Sequence, residues 1–109
     1  MKLEKKYKYP VISADIVLFT IKEDELQVLL IEMNKKPYVN NWAMPGSLVK
    51  GNESVVDGAK RILKEKTGLK NLFLEQLYTF GSVNRDPFGR VVSTAYLSLM
   101  PYRGVRLVT

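Results

Sequence analysis

Apolar side chains gather in four stretches of the chain, and a fifth stretch, between the second and third, repeats them at helical spacing. Residues 11–21 hold Val11, Ile12, Ile16, Val17, Phe19 and Thr20. Such β-branched and aromatic side chains fit a pleated, half-buried surface, so this stretch reads as a strand. The polar break Lys22-Glu23-Asp24 is short, and residues 26–33 read as a second strand folded back in a hairpin. Residues 34–41, with Pro37, read as a loop. Residues 42–50 read as irregular chain around Pro45-Gly46, with a short strand near Leu48-Val49. Residues 72–80 and 91–100 are two further strands; between them Pro87 and Gly89 suit the second and fourth positions of a type I turn.

The helical stretch carries the clearest signals. Ser54 is suited to cap the first turn, and Asp57 resembles the carboxylate arm of a capping box, one carbon short of the usual Glu. Val55, Ala59, Ile62 and Leu63 follow i, i+4, i+7, i+8 spacing with Val56 beside them, which makes one face apolar. Gly68 stands where a left-handed residue ends a helix. These features predict a helix over residues 54–67. Strands on either side of one mid-chain helix predict an α/β fold with a mixed sheet.

Composition narrows the chemistry more than the fold. With 109 residues, 46% hydrophobic and 26% charged, the chain is an ordinary globular one of single-domain size. It has no Cys and no His, which excludes disulfides, thiolate nucleophiles, imidazole proton shuttles and Cys- or His-bound metals. Any metal would be a hard, oxygen-bound cation such as Mg²⁺ or Mn²⁺. Residues 12–21 are interrupted by Asp15, and no stretch reaches the roughly 20 apolar residues of a membrane span. No apolar segment follows Met1-Lys2-Leu3-Glu4-Lys5-Lys6 to make a signal peptide, so a cytoplasmic protein is expected, with no membrane partner. The net charge of +6 favours anionic partners, although Lys2, Lys5, Lys6 and Lys8 place four of the cations on a solvated terminus.

Around the helix the chain runs Gly46-Ser47-Leu48-Val49-Lys50-Gly51-Asn52-Glu53, then Ser54 to Lys60, then Arg61-Ile62-Leu63-Lys64-Glu65-Lys66-Thr67-Gly68-Leu69. This resembles the Nudix box, G-x5-E-x7-R-E-U-x-E-E-x-G-U, where U is a bulky aliphatic residue. Glu53, Arg61, Leu63, Glu65, Gly68 and Leu69 match, six positions of nine. Ser47, Ile62 and Lys66 depart, replacing the opening Gly and two of the helical Glu residues. The flanking Trp42-Ala43-Met44-Pro45-Gly46 is also similar to Nudix domains, and the resemblance covers residues 9–100.

The resemblance implies a Nudix-fold α/β/α sandwich with a mixed sheet, formed as a single domain by residues 1–109 with its box at residues 46–69. Nudix domains usually continue into another strand and helix, so the chain is expected to be truncated at its C-terminal end. Residues 105–108 would then begin the next strand, an edge that invites a second copy. Nudix enzymes cleave nucleoside diphosphates linked to another moiety, using water and Mg²⁺ or Mn²⁺ held by helical carboxylates. Those three helical positions here are Ile62, Glu65 and Lys66. A full set carries three negative charges, whereas this set sums to zero.

A lysine ammonium competes with a metal ion; at ~4 Å and an effective dielectric near 20 the repulsion is about 4 kcal/mol per unit of metal charge. Glu53 and Glu65, with the Gly46 carbonyl, would hold one weak metal at best. No cofactor is therefore required for binding, and Mg²⁺ or Mn²⁺ belongs only to a hydrolase reading with an eroded box. The two helical departures also suit purely structural roles: Ile62 extends the apolar stripe and fits a core, and Lys66 fits the negative end of the helix dipole.

Lys64-Glu65-Lys66-Thr67-Gly68, Leu74-Glu75-Gln76-Leu77 and Phe80-Gly81 are similar to Nudix-related transcriptional regulators, in which an effector domain precedes a winged-helix DNA-binding domain. That domain is absent from this chain, so DNA would be reached only through a part not present here. The likeness implies a nucleotide such as ADP-ribose, or a pentose such as arabinose, as effector, and a homodimer. The loop Asn84-Arg85-Asp86-Pro87, then Gly89-Arg90, looks like the same group and like some ADP-ribose pyrophosphatases. Arg85 and Arg90 suit phosphate recognition and Asp86 a ribose hydroxyl, unless the segment is only turn chemistry. Trp42 and Phe88 are candidate stacking surfaces, with a core place for Trp42 as the alternative. Three functions remain open: a non-hydrolytic effector domain, a metal-dependent hydrolase, and an interaction module that binds no nucleotide.

Overall fold

The structure, a computed structural model, describes residues 9–32, 41–83 and 89–100. β1 (Val11–Lys22) is its centre. β2 (Glu25–Val28) folds back on it through Glu23 and Asp24, both at positive φ (52° and 63°), a two-residue turn whose twist matches that of the strands. The expected second strand is broken. Pairing with β1 ends as Leu29 N–H donates to the Leu18 carbonyl at 2.8 Å, and Ile31–Glu32 (β3) joins Trp42–Ala43 (β4) in a separate two-stranded sheet.

β5 (Gly46–Leu48) returns antiparallel to β1, with Ser13 opposite Leu48 and Asp15 opposite Gly46. The helix α1 (Val55–Thr67) follows, then β6 (Glu75–Phe80) and β7 (Val91–Met100). The main sheet runs β2-β1-β7-β6, with β5 also on β1; β1 and β7 are parallel over ten residue pairs and the other pairs are antiparallel. This is the expected mixed sheet. α1 is the single helix among the described residues, and it covers one face.

The helix begins and ends where its signals lie. Ser54 Oγ accepts from the Asp57 backbone N–H at 3.1 Å, and Gly68, at φ 78°, donates its N–H to the Lys64 carbonyl at 2.8 Å. Buried Thr67 adds a second tie, its hydroxyl donating to the Leu63 carbonyl at 2.6 Å and accepting from Leu69 N–H at 3.1 Å. Ala59, Ile62 and Leu63 pack against Ala14, Ile16 and Leu18 of β1 and Tyr96 and Met100 of β7. Ile62 is thus a core residue, as its place on the apolar stripe predicts.

β6 starts three residues later than the pattern predicts. Leu72 and Leu74 lie against the core, but residues 72–74 stand outside the ladder; the Ser98 hydroxyl reaches across to the Phe73 carbonyl at 2.7 Å. On the face away from α1, Ile21, Tyr78, Phe80 and Leu99 are exposed. The turn residues 84–88 and the expected strand at 105–108 lie outside the described residues.

Candidate functional site

The cluster forms where β5 delivers the chain to the loop before α1. The Lys50 backbone N–H donates to Glu53 Oε2 at 2.8 Å, turning this carboxylate toward the helix. Gly58 lies beneath it: a Cβ there would stand 2.8 Å from Glu53 Oε2 and 3.2 Å from both methyls of Val49. A glycine inside a helix costs about 1 kcal/mol against alanine, so the close approach of this carboxylate gives Gly58 a structural reason.

Arg61, two turns into the helix, then meets Glu53 with two parallel bonds, Nε to Oε1 and Nη2 to Oε2, both 2.9 Å. Nη2 also donates to the Leu48 carbonyl at 3.0 Å, and Nη1 donates to Glu65 Oε1 at 3.0 Å. One guanidinium therefore ties β5, the loop and the last turns of the helix together. Such planar bidentate pairing is specific to arginine.

The arrangement shifts both charges toward their ionised forms. The bonds from Arg61, and next the Lys50 N–H, bring the Glu53 pKa down from 4.5 to about 2, while Glu53 and then Glu65 raise Arg61 further above its ordinary value. A carboxylate with a lowered pKa contributes stability that is complete above its unfolded pKa and lost as pH falls through the folded one. The chain is expected to lose stability between pH ~4.5 and about 2, and Glu53→Gln should flatten that part of the profile. Urea unfolding at successive pH values checks this; equal slopes in the two proteins would contradict it.

The sequence-derived candidates divide accordingly. Glu53, Arg61 and Glu65 are brought together. Glu53 has both oxygens engaged, accepting from Arg61 Nε and Nη2 and from the Lys50 N–H, so its first partner is Arg61. Glu65 Oε1 holds Arg61 Nη1, and Glu65 remains partly open to solvent. Ile62 is fully buried, and Lys66 is half-buried in the last turn. Ser47 lies in β5 opposite Ala14. Trp42 is 60% exposed on β4, so its alternative place in the core is overturned. Arg90 uses Nη1 to hold the Gly81 and Ser82 carbonyls at 2.8 and 3.4 Å, fastening the end of β6 to the start of β7. Arg85, Asp86 and Phe88 lie outside the described residues.

A divalent cation does not fit this donor set. Of the three helical positions, one is an aliphatic core residue, one is a carboxylate already shared with a guanidinium, and one is an ammonium. Among the described residues, no three of Asp, Glu, His and Cys gather as metal ligands.

One residue escaped the sequence reading. Asp15 registered only as a break in an apolar run, yet its Oδ2 accepts from the hydroxyls of Ser13, at 3.1 Å, and Ser93. Ser13 two residues away was a local hint. Ser93 reaches it only through the parallel pairing of β1 with β7. Asp15 also explains Gly46, where a Cβ would collide with Oδ1 and stand 3.0 Å from Cγ. Gly46→Ala is expected to destabilise the domain by about 2 kcal/mol through overpacking, read from denaturant midpoints. An unchanged midpoint would mean that Asp15 moves aside freely.

Comparison with known proteins shows the family. The model of the NUDIX domain matches residues 10–105, most of the chain. The chain belongs to the Nudix family. It is 33% identical over 99 residues to the ADPR responsive transcriptional repressor NtrR of Acinetobacter baylyi, covering 89% of this chain and 40% of that protein. It is 30% identical over 97 residues to an ADP-ribose pyrophosphatase of Methanocaldococcus jannaschii, covering 89% and 55%. The NUDIX domain of Shewanella oneidensis NrtR, crystallised with ADP ribose, superposes with a TM-score of 0.83 at 33% identity, covering 93% of this chain and 67% of that one. The chain therefore spans about half or less of the curated relatives it matches. Among the described residues of this Nudix chain, no helix is long and apolar enough to cross a membrane.

Proposed function

We propose that this Nudix chain is the effector-binding domain of a transcriptional regulator, taking ADP-ribose or a related nucleotide or sugar without efficient hydrolysis. One observation carries the reading: the box helix offers an arginine-tied glutamate, a buried isoleucine and a lysine where hydrolysis calls for free carboxylates. The Lys66 ammonium supplies positive charge to a pyrophosphate without activating a water. Binding then needs no metal. Arg90 has guanidinium nitrogens besides Nη1 for an anion, and the exposed Trp42 ring is suited to stack on a base or sugar. The likeness to NtrR and to the ADP-ribose complex supports the same ligand class. A cytoplasmic homodimer, reaching DNA through a part outside this chain, belongs to this proposal.

The likeness to an ADP-ribose pyrophosphatase keeps a hydrolase with an eroded box as the second reading. Incubation with ADP-ribose and Mn²⁺, followed by product chromatography, separates the two: the regulator reading expects intact ADP-ribose, and release of AMP at enzymatic rates would overturn it. Thermal-shift screening against ADP-ribose, NAD and pentoses separates the regulator from an interaction module, which none of them would stabilise.

A further inference from the structure

Asp15 lies on the face of the sheet that α1 does not cover. It stands where three strands meet, opposite Ala95 of β7 on one side and Gly46 of β5 on the other. Both hydroxyls that bond its Oδ2 belong to serines more than nine-tenths buried. Its Oδ1 lies so close to Gly46 that a Cβ there would displace it. The two hydrogen bonds from Ser13 and Ser93 fix the rotamer and hold the carboxyl group against β5.

β5 needs such a fixture. It is three residues long and pairs only with β1 among the described strands. Its last residue is Leu48, whose carbonyl accepts from Arg61 Nη2 at 3.0 Å, and Arg61 in turn holds Glu53 and Glu65. The route from Ser93 through Asp15, Gly46 and Leu48 to Arg61 is continuous.

We propose that Asp15 is a positioning residue for the Arg61 cluster: by holding Gly46 in register it sets where the Leu48 carbonyl meets the guanidinium, and so where Glu53, Glu65 and the helix end lie. Its action runs through Arg61. Its contribution is the placement of β5 against the paired strands β1 and β7.

The test reads the guanidinium directly. In the unaltered chain the Arg61 Nε–H is bonded to Glu53 Oε1 at 2.9 Å, and its solvent exchange is followed by nitrogen-edited NMR. In Asp15→Ala, and in the milder Ser93→Ala should the first fold poorly, this exchange is expected to quicken about tenfold, the loss of roughly one hydrogen bond of restraint. The amides of Val17 and Leu97, farther along the same ladder, should keep their rates. Quickening shared equally by Val17 and Leu97 would show a general loss of stability and overturn the proposal, as would an Arg61 signal that does not change.

A second arm rests on the functional reading above: ADP-ribose affinity is expected to fall about tenfold in Asp15→Ala. An unaltered chain that does not bind ADP-ribose overturns that reading and leaves the exchange result to judge Asp15.

Discussion

Ile62→Glu, the change that restores a family carboxylate to the box, is expected to unfold the domain or lower its melting temperature by about 15 °C or more. Ile62 is fully buried between α1 and the sheet, so the substitution removes an apolar side chain and sets an unpaired carboxylate in its place. The two effects together cost about 4 kcal/mol or more, against the 5–15 kcal/mol by which small domains are stable. Burial raises the folded pKa of such a carboxylate above its unfolded value near ~4.3, so the protonated form is the one favoured in the fold. The penalty is therefore smallest below that pH and grows as pH rises through it. Melting curves at pH 4 and pH 7 check both the size and the sign. A stable Ile62→Glu protein at pH 7 would show that this position faces solvent, and that the chain has lost a ligand there without gaining a core residue.

Lys66→Glu is expected to weaken ADP-ribose binding in excess EDTA by about tenfold to a hundredfold. The substitution exchanges an attractive ammonium for a repulsive carboxylate next to Glu65. Half-burial in the last turn leaves that charge partly screened, which keeps the effect below the full Coulomb figure. The same change places two adjacent carboxylates at the helix end, so added Mn²⁺ should recover part of the lost affinity in Lys66→Glu and do nothing for the unaltered chain. Calorimetric titration of both proteins, with and without Mn²⁺, decides it. Equal affinities in EDTA would assign Lys66 to the helix dipole alone.

Local signals were legible wherever the deciding contacts are local. Ser54 and Gly68 marked the ends of α1 because a cap is made within four residues. The apolar stripe placed Ile62 and Leu63 in the core, and the strand over residues 91–100 has the bounds that its pattern predicts. Pairing across long sequence distances was not legible. Residues 26–33 look like one strand because both halves are apolar, yet the second half leaves β1 to pair with β4. Residues 72–74 are apolar because they cover the core, not because they join the ladder.

The site shows the same division. The intervals from Glu53 to Arg61 and from Arg61 to Glu65 announced the cluster, since the helix fixes the second interval and the box the first. That Glu53 is consumed by Arg61 needed the distances. Asp15 was hidden because, Ser13 apart, its neighbours Ser93 and Gly46 lie on β7 and β5, which no spacing in the chain connects to it.

Titrating ADP-ribose into the unaltered chain in excess EDTA, and again in millimolar Mg²⁺, probes the claim on which the rest depends. A saturable heat of the same affinity in both buffers, with the nucleotide recovered whole, is the predicted result. Binding that vanishes in EDTA and returns with Mg²⁺ would contradict it, because a helix with an isoleucine and a lysine in place of two carboxylates would then still be holding a metal ion.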